Sequence, residues 1–520
     1  MPNDVSGGGA PPRLRVCVLQ SSYEGSQSDT KAYDDYACTP AYVVGKSPLA
    51  DEYEFTSVMI KKATAYSQVR ELVRSRKYDV FFNLCDGALD EDRAGISVVD
   101  ALERFKVPFT GADSKHFEPT KLDMKMLAYF AGIEVPAYAH MTPQDDIETV
   151  CAHLNFPVIV KHTSGYNSVG MTKRSLCQSM DELKFEATRF MKLFGDVLVE
   201  EYIEGVEVTV LACEDPHTGK TRVFTPIQFN FPVGESFKHF DLKWVDFGQT
   251  RCAPVSDPVL AEKCKAVGAS AFENLLGGIG YGRSDLRVDA SGKVFMLEIN
   301  PNCGLFYPEC DGSADLILAN DPYTAAGFAK LMIEAAIMRN DRKRAAEPPV
   351  KVSFSSAEGR GYHVLASRRI QKGELVFHDE GRPLRLITKQ YVESNWSPSE
   401  KSMFAQYAWP FTKVVWAMWS NDHRDWRPLV HSCSPCLWFG ENFSLNIYAA
   451  RDIEIGEALT MDYSTFCCGE VMEFDCQCGS KACRGRVTGR DYEIYPSMRE
   501  YYGTRVSDFV YQQWVASSSK

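Results

Sequence analysis

Long apolar segments are absent from this 520-residue sequence. No run approaches the roughly 18 consecutive apolar residues that a membrane-spanning helix needs. The N-terminal stretch MPNDVSGGGAPPRLR also lacks the apolar core of a secretory signal peptide. These two absences predict a soluble intracellular protein, cytoplasmic or nuclear, with no membrane association.

An excess of positive charge is also missing. The net charge is −12 at pH 7, and residues 351–520 contain 20 Lys or Arg and 20 Asp or Glu, so the acidic excess lies before residue 351. Neither part is basic overall, which argues against broad binding to nucleic-acid phosphates. A basic peptide remains compatible with this charge as a substrate.

Cysteine is frequent, but the dense pattern of a small disulfide-bonded domain is missing from most of the chain. Most of the 17 cysteines stand singly in apolar runs, as buried thiols do. The exception is a group near the C-terminal end: Cys433, Cys436, Cys467, Cys468, Cys476, Cys478 and Cys483. The length and the 45% hydrophobic content predict a globular protein of two or three domains.

The stretch Gly282–Gly304 carries the most unusual polar residues. Two short apolar runs flank a turn at 289–292, a pattern typical of a β-hairpin. Asp285, Glu298 and Asn300 would then meet at the strand ends, and two carboxylates with an amide oxygen suit Mg²⁺. On spacing alone, the alternative is a hairpin whose acidic residues simply face water.

This stretch closely resembles the metal-binding end of the ATP-grasp fold, in its D-alanine–D-alanine ligase branch. The family pattern R-x-D, followed by E-x-N-x-x-x-G, is matched by Arg283, Asp285, Glu298, Asn300 and Gly304. The resemblance implies that Asp285, Glu298 and Asn300 hold Mg²⁺. It also implies that Arg283 and the amide of Gly304 form an oxyanion hole.

Alternating strand and helix patterns precede this stretch. We predict strands at 15–20, 58–60 and 79–84 and a helix at 67–77, which favours a parallel sheet covered by helices. The segment Asn83–Gly111 resembles the N-terminal domain of the same ligase branch.

A helix with two lysines follows. Its apolar spacing predicts that one face packs on the core, with Leu122, Met126, Leu127 and Phe130. Lys121 and Lys125 would lie on the other face, where lysines are usually solvated. By resemblance, Lys121 reaches the nucleotide phosphates, although Thr120 replaces the family's aspartate.

A strand ending at Lys161 leads into a glycine- and serine-rich loop. Its backbone amides and hydroxyls could approach phosphate closely, and the residues concerned are Ser164, Gly165, Ser168 and Gly170. Lys161 would add a positive charge. Many proteins contain such a loop, but its separation along the sequence from Glu200 and Glu298 fits the order of motifs in the ATP-grasp family.

The segment Leu198–Val210 resembles the hinge strand of the family. The edge that meets adenine, largely through backbone groups, would include Glu200, Glu201 and Ile203. Glu207 would hold the ribose hydroxyls, with a cross-strand charge pair as the alternative. Lys243 falls where the family places a lysine near the transferred phosphate.

The resemblance implies an ATP- and Mg²⁺-dependent ligase that joins a carboxylate to an amine. The carboxylate attacks the terminal phosphate of ATP and gives an acyl phosphate, and the amine then displaces phosphate. Mg²⁺ and lysines neutralise the phosphate charge. The expected substrates are an amino acid or a peptide.

A second resemblance begins after a charged stretch that ends in Pro-Pro. Residues 351–500 resemble a SET-domain protein-lysine methyltransferase with a post-SET cysteine tail. Gly359, Gly361 and Tyr362 match its S-adenosylmethionine turn, which is a weak signal alone. His431 stands in its expected place beside the cofactor.

The sequence RDIEIGEALTMDY matches the family's strand–turn–strand that ends in a catalytic tyrosine, here Tyr463. Its hydroxyl could orient the lysine amine of a protein or peptide substrate. The alternative is a buried structural tyrosine.

Cys476, Cys478 and Cys483 have the C-x-C-x₄-C spacing of the post-SET tail. Three thiolates are one short of a structural tetrahedral Zn²⁺ site. By resemblance, the fourth ligand is Cys433 of the motif His431-Ser432-Cys433. The alternative is a group of unpaired thiols.

Two positions depart from the family pattern. Val430 and Cys436 stand where the family has asparagines, one of which hydrogen-bonds near the cofactor. Cys436 also offers Zn²⁺ a competing ligand. The alternative to a fusion of ligase and methyltransferase is therefore a chain with one or both halves catalytically inactive, which recognises a peptide or chromatin tail.

The predicted fold class is α/β and α+β multidomain, with an ATP-grasp fold followed by a mostly β SET domain and a zinc-bound tail. The predicted segments are a disordered tail (1–12), an N-terminal α/β subdomain (13–118), the ATP-grasp core (119–338), a linker (339–350), the SET domain (351–466), the post-SET tail (467–490) and an extension without an assigned role (491–520).

Overall fold

The computed structural model describes residues 13–27, 31, 36–87, 91–164, 168–244, 250–309, 312–346, 349–355, 361–380, 384–418, 427–467 and 473–518. The chain forms two compact units that divide after Ala345. Among the described residues, every helix is too short or too polar to span a membrane.

The first unit combines helices with three sheets. Its helices are α1 (Ala41–Val44), α2 (Ala65–Ser75), α3 (Gly95–Arg104), α4 (Lys121–Phe130), α5 (Ile147–Val150), α6 (Met180–Phe194), α7 (Phe240–Trp244), α8 (Pro258–Leu275), α9 (Ser313–Ala319) and α10 (Thr324–Ala346). Its strands are β1 (Leu14–Ser21), β2 (Tyr53–Ile60), β3 (Val80–Asn83), β4 (Tyr138–Met141), β5 (Val158–Lys161), β6 (Leu176–Cys177), β7 (Val197–Glu201), β8 (Val206–Asp215), β9 (Lys220–Val223), β10 (Ile227–Asn230), β11 (Arg251–Pro254), β12 (Tyr281–Val288) and β13 (Val294–Pro301).

The first sheet is parallel, in the order β2-β1-β3. Residues 16–21 of β1 are all buried, as expected for a central parallel strand covered on both faces. The predicted strands and helix of this region are confirmed, although β2 begins five residues and α2 two residues before the predicted start.

The other two sheets are antiparallel and form the walls around the candidate site. One has the order β4-β7-β5-β6, and the other has the order β11-β10-β8-β12-β13 with β9 paired to β8. The predicted hairpin is confirmed as β12–β13. Asp285 pairs with Glu298 and Arg283 with Asn300 across it, so these four side chains share one face.

A β-bulge at Leu297 interrupts the hairpin. Asp285 pairs with Glu298, but the next residue, Leu286, pairs with Met296. The extra residue shifts the alternation, so that Met296 and Ile299, three positions apart, are both fully buried in one core cluster. The bulge therefore allows Glu298 to leave the core face.

The predicted orientation of α4 is wrong. Met126 is 52% exposed and Phe130 is 82% exposed, whereas Lys121, Met124, Lys125 and Ala128 are buried. The helix turns its lysines inward because buried carboxylates lie there to pair with them. The pairing of these charges therefore decides which face of the helix is buried, and the apolar face predicted from the spacing is exposed.

Helix α10 extends into the predicted linker. The linker was predicted at residues 339–350, but the helix continues to Ala346. The residues after Arg339 include several good helix formers. Pro348 follows, and a proline disfavours helical backbone at the residue before it.

The second unit is built from short strands and small sheets. Its strands are β14 (Val350–Ser355), β15 (Gly361–Ala366), β16 (Leu375–Phe377), β17 (Leu386–Thr388), β18 (Trp409–Pro410), β19 (Val415–Ala417), β20 (Val430–His431), β21 (Leu437–Phe439), β22 (Ile447–Ala449), β23 (Thr460–Met461), β24 (Phe474–Asp475) and β25 (Arg486–Val487). Its helices are α11 (Lys389–Asn395), α12 (Pro398–Tyr407), α13 (Asp491–Ile494), α14 (Pro496–Tyr502) and α15 (Asp508–Ser518).

The strands pair in the orders β14-β15, β16-β22-β21, β17-β19-β18, β20-β23 and β24-β25. The C-terminal extension is helical and has a small core of its own, with Tyr492, Met498, Tyr502, Val506 and Val510. It is thus a folded part of this unit.

Candidate functional site

A cavity of about 760 Å³ collects most of the predicted site residues of the first unit. The predicted residues that line it are Lys121, Lys161, Ser168, Glu200, Glu201, Ile203, Glu207, Arg283, Asp285, Glu298, Asn300 and Gly304. Ser164 is exposed and Gly170 lies outside the lining. Gly165 and the side chain of Lys243 lie outside the described residues.

Arg283 and Asp285 form a bidentate pair at one end of the hairpin. Arg283 donates from Nε to Asp285 Oδ1 over 3.2 Å and from Nη2 to Oδ2 over 3.0 Å. Burial would raise the pKa of Asp285, but Arg283 and then Lys238 outweigh it and hold that pKa well below its usual range. Asp285 is therefore ionised at neutral pH.

Glu298 and Asn300 complete the polar group beside Asp285. Asn300 Nδ2 lies 3.2 Å from Asp285 Oδ2 and 3.5 Å from Glu298 Oε1, and Lys121 Nζ lies 3.1 Å from Glu298 Oε2. Burial opposes ionisation of Glu298, but Lys121 outweighs it and lowers the pKa. Two ionised carboxylates and an amide that can turn its oxygen inward are a donor set that fits Mg²⁺.

A third carboxylate, Glu200, is fully buried and binds two lysines. Lys161 donates to Glu200 Oε2 over 2.9 Å, and Lys125 Nζ lies 2.9 Å from Oε1 without a well-aligned hydrogen bond. Burial would raise the pKa of Glu200, but the two lysines lower it to about 2. The Glu200 side chain therefore fixes Lys161 at the cavity wall.

Lys125 was not predicted as a site residue. Burial lowers its pKa, and its side chain has no exposed surface. The sequence feature that could have identified it is its position four residues after Lys121, because residues at this spacing share one face of a helix.

Glu207 stands between two cations. Lys238 Nζ lies 3.1 Å from its Oε1, and Arg287 Nη2 lies 3.3 Å from its Oε2. The cross-strand pair considered from the sequence is therefore present, because Arg287 is the strand neighbour of Glu207. Arg287 also donates to the carbonyl of Ile203 over 3.1 Å and to the hydroxyl of Tyr202 over 2.8 Å.

Arg287 was also not predicted. The sequence feature that could have identified it is the strand period of two, which places residues 283, 285 and 287 on the same face of the sheet. Its contacts hold the hinge segment 202–205 in place.

The backbone conformation at Gly170 favours glycine. Its φ is +75°, and a Cβ atom there would lie 2.9 Å from the ring of Phe194. Its carbonyl accepts a hydrogen bond from Arg189 Nη2 over 2.6 Å. The loop is thus anchored at Gly170, while Ser168 lines the cavity.

The four predicted zinc ligands of the second unit meet. One ligand atom from each of Cys433, Cys476, Cys478 and Cys483 lies within 4.8 Å of every other. Cys433 Sγ and Cys476 Sγ are 3.7 Å apart. A tetrahedron with Zn–S bonds of about 2.3 Å has edges of about 3.8 Å, so this donor set fits Zn²⁺.

Cys436 does not join this cluster. It is fully buried in the core of the unit, and it accepts a hydrogen bond from the Thr460 amide over 3.2 Å. The predicted competition for Zn²⁺ is therefore wrong, because Cys436 packs in the core and contacts Thr460 instead.

The side chain of His431 faces the cysteine cluster. Its Nδ1 accepts from the Tyr463 amide over 3.2 Å, which leaves Nε2 to donate toward Cys433 Sγ at 3.4 Å. Burial lowers the pKa of His431 to about 4, so the ring is neutral at pH 7. A cofactor contact from this position would have to use backbone atoms.

The hydroxyl of Tyr463 donates to the carbonyl of Leu429 over 2.7 Å, and burial raises its pKa to about 12. This bond fixes the tyrosine ring next to His431.

Gly359 lies outside the described residues. Gly361 begins β15, and Tyr362 is 53% exposed with its ring 4.8 Å from that of Phe354.

The residue before Tyr463 anchors three parts of the second unit. Asp462 is buried and accepts from Arg484 Nη1 over 2.8 Å and from Nη2 over 2.7 Å. It also accepts from the Tyr502 hydroxyl over 3.2 Å, and Arg484 Nε lies 2.8 Å from Asp491 Oδ2. The cysteine tail and the C-terminal helices are thereby tied to the Tyr463 turn.

Replacing Glu200 with glutamine tests the buried lysine pairs. We expect Glu200→Gln to lower the free energy of unfolding by about 3–5 kcal/mol, because Lys125 and Lys161 lose their counter-charge. The contribution of Glu200 is present above its ordinary pKa of 4.5 and is lost as the pH falls toward 2. Chemical denaturation of the full chain between pH 2 and pH 7 measures both effects.

The control is Glu204→Gln, at an exposed position of the hinge, where we expect a change below about 0.5 kcal/mol. The double variant Glu200→Gln with Lys125→Met should recover part of the loss. Equal stabilities of the Glu200 and Glu204 variants would contradict the account.

Comparison with known proteins places both halves in families. The model described as D-ala D-ala ligase C-terminus matches residues 127–307, and the model described as SET domain matches residues 361–464. The D-alanine–D-alanine ligase of Ectopseudomonas mendocina is 31% identical over 234 residues, which cover 44% of this chain and 70% of that protein. The ligase of Cupriavidus necator is 26% identical over 230 residues, which cover 44% and 67%.

Among solved structures, the D-alanine–D-alanine ligase from Bacillus anthracis complexed with ATP aligns with a TM-score of 0.48 and 18% identity, over 64% of this chain and 99% of that one. The family matches confirm the predicted fold class, an ATP-grasp fold followed by a SET domain. The chain therefore belongs to the D-alanine–D-alanine ligase family and carries a SET domain in its second half.

Proposed function

We propose that the first unit joins a carboxylate to an amine at the expense of ATP, with an amino acid or peptide as substrate. The observation that carries this proposal is the shared cavity, which brings Asp285, Glu298 and Asn300 together with Lys121 and Lys161. Oxygen ligands and lysines around one cavity suit a nucleoside triphosphate with its metal ion.

In this reaction the substrate carboxylate attacks the terminal phosphorus of ATP, and the bond to ADP breaks. The amine then attacks the carbonyl carbon of the acyl phosphate, and phosphate leaves. Lys121 and Lys161 bind phosphate oxygens, and Glu207 accepts from the ribose hydroxyls. Mg²⁺, when held by Asp285, Glu298 and Asn300, would supply further neutralisation of phosphate charge.

Arg283 and the amide of Gly304 would stabilise the oxyanion that forms during amine attack. Arg283 uses Nε and Nη2 for Asp285, and Nη1 makes no hydrogen bond within the described part of the chain. A donor held in this way is oriented before the reaction begins. Each such donor is worth about 3 kcal/mol in the transition state.

The metal site is tested with Glu298→Gln. We expect wild type to bind ATP in the presence of Mg²⁺, and the variant to need about ten times more Mg²⁺ for the same binding, since one ligand charge is lost. Titration calorimetry of the full chain at several Mg²⁺ concentrations measures this. Glu262→Gln, at an exposed position of α8, is the control and should match wild type. Failure of wild type to bind ATP would overturn the ligase proposal.

We propose one structural Zn²⁺ per chain, bound by Cys433, Cys476, Cys478 and Cys483. Backbone amides support thiolates there, since the amides of Arg484 and Gly485 each lie 3.5 Å from a cluster sulfur. Folding of the tail and metal binding would then be coupled.

Cys478→Ser should therefore release the metal and loosen the tail. We expect plasma emission analysis to give one zinc per wild-type chain and less than half of that in the variant. Cys252→Ser, in the first unit, should keep the metal. Carefully reduced wild-type protein without zinc would refute the proposed site.

We propose further that the second unit transfers a methyl group to a lysine amine of a protein or peptide. S-adenosylmethionine would supply the methyl group. Support comes from the SET match and from the position of Tyr463, whose ring is fixed by the carbonyl of Leu429. We expect this chemistry inside the cell, in the cytoplasm or the nucleus.

The competing function is a recognition module without methyl transfer. Val430 favours it, because a valine cannot supply the hydrogen bonds of the asparagine expected at this position. Losing one such bond costs about 0.5–1.5 kcal/mol, or roughly tenfold in rate at most. A slow enzyme therefore fits the sequence at least as well as an inactive one.

Val430→Asn distinguishes these functions. If the site is only weakened, the variant should transfer label from S-adenosylmethionine to a histone and peptide panel up to roughly tenfold faster than wild type. Val414→Asn, at an exposed position, should leave the rate unchanged. If neither wild type nor the Val430 variant transfers label or binds the cofactor in calorimetry, the unit is a recognition module.

A further inference from the structure

Thr209 donates a hydrogen bond to one of the proposed metal ligands. It lies on β8, pairs with Asp285 of β12 across the sheet, and is fully buried. Its Oγ1 donates to Asp285 Oδ1 over 2.8 Å, whereas the carbonyl of Ser284 is a more distant acceptor at 3.4 Å. Asp285 lines the cavity and Thr209 does not. Thr209 can therefore act on a bound ion only through this carboxylate.

Four donors contact the Asp285 carboxylate within the described part of the chain. An ionised carboxylate has about four acceptor positions, two on each oxygen. Arg283 takes one position on each oxygen, with Nε on Oδ1 and Nη2 on Oδ2. Thr209 takes the second position on Oδ1, and Asn300 Nδ2, 3.2 Å away, takes the second position on Oδ2. An ion can therefore bind Asp285 only after one of these donors leaves.

Asn300 and Thr209 differ in their ability to leave. Asn300 can turn its amide so that the oxygen faces the ion, which frees a position on Oδ2. Thr209 cannot turn away in this manner, because it is buried on β8 between β10 and β12 and a β-branched side chain has few χ1 rotamers. The hydroxyl therefore keeps Oδ1 occupied and leaves Oδ2 as the oxygen that meets the ion.

We propose that Thr209 is a positioning residue of the metal site, whose hydroxyl holds Oδ1 and so directs Oδ2 of Asp285 toward the ion. Mg²⁺ demands near-octahedral geometry with ligands at about 2.0–2.1 Å, whereas Ca²⁺ accepts irregular geometry at about 2.3–2.6 Å. A fixed carboxylate therefore benefits Mg²⁺ more than Ca²⁺. This inference rests on the proposed ligase function, because the ion is the one that accompanies ATP.

The test measures the metal concentration that half-maximal ATP binding requires, by titration calorimetry of the full chain. Thr209→Val keeps the shape of the side chain and removes the hydroxyl, so it should need about tenfold more Mg²⁺ than wild type. Thr209→Ser keeps the hydroxyl and should stay within about threefold of wild type. With Ca²⁺ in place of Mg²⁺, the requirement of Thr209→Val should rise by less than about threefold, because Ca²⁺ tolerates irregular geometry.

Thr221→Val is the matched control and should behave as wild type, because the Thr221 hydroxyl donates to the Glu273 carboxylate outside the cavity lining. An equal Mg²⁺ requirement in wild type and Thr209→Val would overturn the positioning role and leave the ligase function intact. Equal increases for Mg²⁺ and Ca²⁺ would also overturn it, since Thr209 would then only support the sheet. If wild type binds no ATP, both proposals fail together. Thermal unfolding checks each variant, and Thr209→Ala replaces the valine variant if that one does not fold.

Discussion

The first unit depends on the register of one β-hairpin. Pairing of Asp285 with Glu298 and of Arg283 with Asn300 puts four polar side chains on one face, and a slip by one residue would send them into the core. The bulge at Leu297 is what makes this register compatible with folding. It lets Met296 and Ile299 both fill the core while Glu298 faces the cavity.

The charges that this face buries explain much of the surrounding structure. Six basic side chains contact four carboxylates around the cavity: Lys121, Lys125, Lys161, Lys238, Arg283 and Arg287 pair with Glu200, Glu207, Asp285 and Glu298. Each buried carboxylate has at least one cation, as the cost of burying charge requires. Within this network the cations outnumber the carboxylates by two. The inward turn of α4 follows from the same requirement, because Glu200 needs Lys125 as well as Lys161.

The sequence predicted the hairpin, the parallel sheet, the fold class and the meeting of the four cysteines. The hairpin and the sheet succeed because strand period is a local signal. The fold class and the fourth cysteine, Cys433, came from the resemblance to known families. It did not predict the orientation of α4, because apolar spacing assumes an apolar interior, and here Glu200 attracts the lysines. Nor could it predict the network of Asp462, Arg484 and Tyr502, whose members are far apart in the chain and meet only in the folded unit. The direction of Cys436 depended on its contact with Thr460, which is 24 residues further along the chain.

The central claim is that the face of this hairpin holds the metal ion of a bound nucleotide. Crystals of the full chain grown with Mn²⁺ and a non-hydrolysable ATP analogue test it most directly, since Mn²⁺ takes the same oxygen ligands and gives an anomalous signal. We expect an anomalous peak bounded by Asp285, Glu298 and Asn300, with the nucleotide phosphates beside it. A nucleotide bound outside this cavity, or a manganese peak away from these three residues, would contradict the account.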